Sequence, residues 1–328
     1  MGLYPLKFYE IYKGKIWGGR KIEAVLGKNL PQGKLVGESW EISDHFDDMS
    51  VIRNGALEGK TLREVWQADP KGVLGKCYRE GHCKYFPLLV KFIDASQDLS
   101  VQVHPDDAYA AKFDPNCDSG KNEAWYVLAA EPGARITTGM KKGVTQEEFK
   151  RLLAAGSFGD CLNSFEAKAG QVIHVAAGTV HALGKGILIC EIQQTSDATY
   201  RIWDWGRVDE NGKPRPLHIT HALDVIDFAR GPVGPVDAKE MPGSPGRRLL
   251  DTCEFFVIEG IEALEKFTET GPAESFFILI CIGGSGSIVA EGERYSYALG
   301  DTVLVPAAVK QVRVEPGEAS RFLKTYIP

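Results

Sequence analysis

The sequence predicts a mainly β protein built from two related halves, and three observations carry that reading. First, 36 glycines and 17 prolines cut the 328 residues into many short apolar or alternating segments, the punctuation of strands and turns. Second, Gly170 to His181 (GQVIHVAAGTVH) and Gly300 to Gln311 (GDTVLVPAAVKQ) repeat a glycine, an apolar alternation and a turn at Ala177 and Ala307. Third, Leu99 to Asp107 reads LSVQVHPDD. Strand alternation sets Ser100, Gln102 and His104 on one face and Leu99, Val101 and Val103 on the other. A polar stripe beside core strands has to be satisfied, and a metal ion is the natural partner.

The elements follow in order. Leu62 to Ala68 (LREVWQA) reads as a short amphipathic helix after Thr61. Phe86 to Ile93 (FPLLVKFI) is a nearly continuous apolar run and predicts a buried strand. Thr145 to Ala154 predicts a helix, with a capping box from Thr145 and Glu148 and apolar Phe149, Leu152 and Leu153 on one side. A further helix is expected over Thr220 to Phe228. Gly231 to Gly246 (GPVGPVDAKEMPGSPG) reads as a linker. The expected organisation is a catalytic domain over 1–230 with a helical insertion at about 141–165, the linker 231–246, and a C-terminal domain over 247–328.

Composition narrows the function. A hydrophobic content of 44% and a charged content of 25% are those of a soluble globular protein. A net charge of −6 argues against nucleic acid or an anionic membrane as partner. The N-terminus has no apolar stretch with a cleavage site, Leu6 stands where myristoylation wants Ser or Thr, and no apolar run is long enough to span a bilayer. Cysteines 77, 83, 117, 161, 190, 253 and 281 are odd in number and scattered, which fits reduced thiols and a cytoplasmic location.

The candidate chemistry lies in Gln102-x-His104, Glu123 and Gly170-x5-Ala176-x-Gly178-x2-His181. Any one of these on a strand is ordinarily a hydrogen-bonded packing residue; the ordered set points to a ligand group. Two imidazoles with oxygen donors suit a first-row divalent ion such as zinc, with a position open to substrate. The second copy has Gln311 where the first has His181, so one half reads as equipped for chemistry and the other as packing. His174 reads as structural, and His218 with His221 as a surface face.

This pattern resembles the two-part signature of cupins, which implies two cupin-type jelly-roll barrels, the second degenerate, with a small helical insertion. The resemblance then sharpens. LSVQVHPDD, GKNEAWYVL (120–128), AGTVHALGKG (177–186) and QTSDATYR (194–201), with WGG (17–19) and GESWEIS (37–43), are similar to the type I mannose-6-phosphate isomerase family in its short bacterial form. The resemblance implies one zinc ion on Gln102, His104, Glu123 and His181, with Ser100 and Lys121 in the substrate pocket. It places Arg201 over the reacting carbons, and Arg207 where longer members carry a phosphate-binding lysine. Two departures stand out: IWDWGR after Arg201, and VAAG before His181 where the family has PAG.

Aldose–ketose isomerisation moves a proton between C1 and C2 through an enediol, so it needs a base and a group that holds negative charge. Glu191, alternating with Ile189 and Gln193 in GILICEIQQ, is the base candidate, although it reads equally well as a strand-edge glutamate. Arg201 is the candidate charge stabiliser, its alternative being an ion pair with Asp197 or Asp204; Lys121 is the third catalytic candidate, its alternative a solvated surface lysine. The expected activity is interconversion of mannose 6-phosphate and fructose 6-phosphate. Its rivals are a metal-dependent cupin dioxygenase, which wants a third histidine, and a sugar-binding cupin without turnover.

Overall fold

Two strands, Leu88–Ala95 and Ile187–Gln194, are buried along their whole length and pair antiparallel in the middle of the molecule. Their near-continuous apolar sequence follows from burial on both faces. Leu88, Val90 and Phe92, with Leu188, Cys190 and Ile192, face the C-terminal half, whereas Ile93, Ala95, Ile187 and Ile189 face the inside of the first barrel. These observations come from a computed structural model describing residues 2–46, 48–78, 84–113, 119–208, 211–271 and 275–328. His82, Cys83 and Cys117 lie outside those residues.

The first barrel is a sandwich of two antiparallel sheets. One has the order Val172–Val175, Glu123–Ala130, Ile187–Gln194, Leu88–Ala95, Val36–Ile42, Ile11–Gly19. The other has the order Leu162–Glu166, Arg135–Met140, His181–Leu183, Val101–Val103, Tyr200–Trp203. The helices Asp107–Phe113, Gln146–Ala154 and Ile219–Val225 cover the outside of this second sheet, where Phe149 and Ala222 pack on Val101, Val103 and Ile202. Helix Leu62–Ala68 starts with a full capping box from Thr61 and Glu64. At Gln146–Ala154 only the Thr145 half forms, its hydroxyl accepting from Glu148 N–H at 3.2 Å. The third helix ends at Val225, three residues before the expected Phe228. Among the described residues no helix is long and apolar enough to cross a membrane.

The second barrel repeats the architecture with a seven-stranded and a four-stranded sheet. Its interior is filled by Phe277, Leu279, Tyr297, Val303 and Phe322, and Gln311 is exposed. The sandwiches stack back to back through a core that includes Val90, Phe92, Ile278 and Leu323. The chain ties them together twice more. Leu6–Lys7 pairs with Thr302–Val305 in the C-terminal sheet. Segment 231–246 is bonded to the first barrel through Val236 N–H to the Val172 carbonyl at 2.8 Å, then adds Lys239–Glu240 to the second. His174 closes the junction by its 2.7 Å contact with Asp251.

Candidate metal centre and active site

Strand register brings the candidate ligands together. His181 pairs directly with Gln102, and Gln102 on its other side with Arg201, so one sheet carries all three side by side. The facing sheet supplies Glu123, which is fully buried. One ligand atom from each of His104, Glu123 and His181 lies within 4.8 Å of the others. The Nε2 atoms of His104 and His181 each stand 3.5 Å from a Glu123 oxygen.

The imidazoles are set for coordination by their backbone bonds. His104 Nδ1 donates to the Ala198 carbonyl at 2.6 Å and His181 Nδ1 to the Thr179 carbonyl at 2.8 Å, leaving both Nε2 lone pairs toward Glu123. Burial and the Lys121 charge push His104 well below the ordinary histidine value, and burial pushes His181 down to about 4. Both are therefore neutral, the form that binds metal.

The donor set fits a divalent cation. Both Glu123 oxygens are buried without a hydrogen-bond partner, and the nearby Lys121 ammonium, 2.6 Å from one of them, forms an ion pair outside hydrogen-bond geometry. Lys121 supplies one positive charge there; the carboxylate and the two neutral imidazoles, with ligand atoms within 4.8 Å of one another, make up a nitrogen and oxygen donor set of the kind that holds a divalent ion. Gln102 is the fourth candidate. Its Oε1 accepts from Ser100 Oγ at 3.1 Å while its Nε2 stands 3.3 Å from His181 Nε2, so rotating the amide by half a turn presents the oxygen instead.

Beside this cluster opens a cavity of about 250 Å³, whose polar wall mixes charged groups (Lys15, Glu38, Lys91, Lys121, Glu191, Arg201) with uncharged Ser100, Gln102 and Thr199. Glu191 pairs in register with Lys91 on one neighbouring strand and Trp125 on the other, and Trp125 Nε1 donates to its carboxylate at 3.0 Å. Burial and the Glu123 charge raise Glu191 above the usual carboxylate range, against the pull of Lys121 and Lys91. Lys91, 3.7 Å from Glu191, lies over the Trp40 ring. Glu38 behaves oppositely to Glu191: burial works against its charge, yet Lys91, Lys15 and the Trp40 N–H bring it down to about 2. A buried acid, Glu191, and a half-buried one, Glu38, are thus tuned apart by their neighbours in one cavity.

Comparison with known proteins identifies the group to which this site belongs. A family model of the type I phosphomannose isomerase catalytic domain matches residues 6–133, and one of the mannose-6-phosphate isomerase cupin domain matches residues 248–321. A mannose-6-phosphate isomerase of Streptococcus mutans is 36% identical, with 93% of each chain covered. ManA of Bacillus subtilis, also a mannose-6-phosphate isomerase, is 35% identical over 95% of this chain and 96% of its own. The chain belongs to the mannose-6-phosphate isomerase family. The crystal structure of the Bacillus subtilis mannose 6-phosphate isomerase matches this isomerase fold with a TM-score of 0.89 at 30% identity, covering 99% of this chain and 100% of that one. A mannose 6-phosphate isomerase structure described as holo and zinc bound shares the fold, with a TM-score of 0.80 at 16% identity over 98% of this chain and 99% of that one.

In this family member, Ser100, Gln102, Lys121, His181, Glu191 and Arg201 line the cavity, with His104 and Glu123 against it through Lys121. Lys121 is buried, and Glu123 and Glu191 hold its ammonium above the usual lysine value despite that burial. Arg201 donates to the Pro216 carbonyl at 3.0 Å, and its buried Nε has no partner. Arg207 is placed differently. Its guanidinium is tied to the Asp98 carbonyl and the Asp204 carboxylate, and it is not part of the cavity wall. Arg215, which the sequence reading passed over, is in the wall and shares Asp204 with Arg207. Lys91, Glu38 and Lys15 were missed as well. A lysine inside the apolar run FPLLVKFI was the available signal for the first of them.

Proposed function

We propose that this enzyme interconverts mannose 6-phosphate and fructose 6-phosphate with Glu191 as the proton carrier. The observation that carries the assignment is the Glu191 carboxylate, buried in the cavity wall, with one oxygen held by Trp125 and the other without a hydrogen-bond partner. An oxygen that accepts no hydrogen bond, 3.7 Å from Lys91 and 4.0 Å from Lys121, on an acid of raised proton affinity suits a group that takes a proton from C2 and returns it at C1. Lys121 and Arg201 supply the fixed positive charge that balances the enediolate while that proton is on Glu191. Ser100 orients Gln102 and presents its hydroxyl at the same wall.

Gln102, His104, Glu123 and His181 would hold the metal, and zinc agrees with the nitrogen and oxygen donors and with the zinc-bound relative. When bound, such an ion polarises the sugar oxygens and adds to the charge that stabilises the enediolate.

The phosphate end falls at Arg201 and Arg215. Three guanidinium groups, of Arg201, Arg207 and Arg215, outnumber the two carboxylates near them, buried Asp204 and the exposed Asp197 of the cavity wall, leaving a surplus of positive charge where Arg201 and Arg215 reach the cavity. A phosphate monoester carrying ~2 negative charges matches that surplus. Arg207 contributes by fixing Asp204. No third imidazole joins the cluster among the described residues, as the dioxygenase rival would require. A cytoplasmic location suits a sugar-phosphate substrate and the free thiols of Cys161, Cys190, Cys253 and Cys281.

The deciding experiment is Glu191→Gln. It is expected to leave sugar-phosphate binding by calorimetry near that of the parent while turnover falls about 100- to 10,000-fold. Turnover close to that of the parent would remove Glu191 from the mechanism.

A further inference from the structure

The turn that delivers His181 differs from its counterpart in the second barrel. In both, an N–H closes onto the carbonyl three residues back: Thr179 to Ala176 at 3.1 Å, and Val309 to Pro306 at 2.9 Å. The second barrel fixes its turn with a proline, whose ring sets φ; the first has Ala176, followed by Gly178 at φ +82°. The turn beside the metal ligands is therefore the intrinsically looser one.

What holds it lies outside the barrel, in the stretch after helix Ile219–Val225. Asp227 N–H donates to the Gly178 carbonyl at 2.9 Å, and a Cβ on Gly178 would stand 2.9 Å from the Val225 carbonyl oxygen. Arg230 Nη1 is shared among three acceptors of the turn: the Ala176 carbonyl at 3.1 Å, the Ala177 carbonyl at 2.7 Å and Thr179 Oγ1 at 2.6 Å. Asp227 steadies the guanidinium from the other side at 3.2 Å. Thr179 is the joint of the assembly. Its hydroxyl receives Arg230 and its carbonyl receives His181 Nδ1–H at 2.8 Å.

We propose that Arg230 is a positioning residue that replaces the missing proline, clamping the turn so that Thr179 holds His181 in the tautomer and direction needed for metal. Arg230 is not part of the cavity wall and acts only through the turn. The inference rests on the metal-site reading above. It also explains how Ala176 is tolerated: a clamp from a distant part of the same chain does the work that proline does in the second copy.

The test uses the full chain, stripped of metal and titrated with zinc ion against a chromophoric chelator, with Tm of the metal-free protein measured alongside. Arg230→Ala is expected to weaken zinc binding about 10-fold, the lower end for losing support behind a ligand. Adding Ala176→Pro to Arg230→Ala is expected to return most of that loss, and Arg230→Lys to fall between parent and alanine. If Arg230→Ala does not fold, Thr179→Val serves, because it deletes the hydroxyl acceptor and keeps the carbonyl; a smaller loss in the same direction is expected. Unchanged zinc affinity in the folded variant, or a lowered Tm without weaker zinc binding, overturns the clamp. So does a loss of affinity that Ala176→Pro leaves untouched. A wild-type chain that takes up no zinc removes the metal-site reading and the clamp together.

Discussion

The Trp125 indole N–H donates to the Glu191 carboxylate at 3.0 Å, across the register pair that sets these residues opposite each other on adjacent strands. This bond favours the carboxylate form of an acid that burial and Glu123 push the other way. Trp125→Phe keeps the ring and removes the donor. A charge-assisted bond of this kind contributes about 1.5–3 kcal/mol to the carboxylate form, so its loss is expected to leave less Glu191 ionised and to lower kcat/KM on the acid side of the profile. The acid limb of the pH–rate profile moves to higher pH, because the base then protonates more readily. An unshifted acid limb would show that the bond does not tune the base.

Arg215 and Arg207 are expected to part company in kinetics. Both bond to Asp204, yet only Arg215 reaches the cavity. Arg215→Gln should raise KM for mannose 6-phosphate about 10-fold, the value of one charge-assisted bond to phosphate, with a smaller change in kcat. Its effect should vanish on unphosphorylated mannose, so the discrimination between the two sugars is the readout. Equal effects on both sugars would place the phosphate elsewhere.

The metal-free protein should lose stability on mild acidification. His181 titrates at about 4 in the folded state and near the ordinary 6.5 when unfolded. Between those values the unfolded chain binds the extra proton, so stability falls as pH falls, by about 1.4 kcal/mol per pH unit for one imidazole. Glu191, raised in the folded state, has the opposite sign, which makes a difference measurement necessary. Metal-free His181→Gln should show a shallower fall of Tm between pH 6.5 and 4 than metal-free wild type. Parallel curves would contradict the neutral, buried imidazole.

The local patterns of the sequence carried much of the site because strand alternation is strict. Ser100 and Gln102 follow directly from period two, as does the inward direction of Glu191 once its strand is seen to be buried on both faces. Spacing to a turn glycine likewise located His181. Residues that reach the cavity by tertiary closure were not legible. Arg215 lies outside any named helix or strand, where there is no period to read. Lys91 was hidden in an apolar run, because its strand is buried on both faces and only one face turns toward the cavity. Glu38 and Trp40 share a strand whose role depends on Lys91, which pairs in register with Trp40 and acts on Glu38 by its charge. Of the capping boxes, the one at Thr61 closed fully, while Glu148 kept its carboxylate off the Thr145 backbone.

A metal-dependent sugar-phosphate isomerase must lose its turnover with the ion and regain it when the ion returns. Fructose 6-phosphate formation from mannose 6-phosphate is followed in a coupled assay, with metal content counted per chain, before chelation, after it and after zinc is returned. Activity is expected to vanish with the metal and to return as zinc approaches one ion per chain, and His181→Gln to show neither uptake nor turnover under the same conditions. Full activity in a metal-free chain, or no turnover by a folded chain carrying zinc, would contradict that expectation.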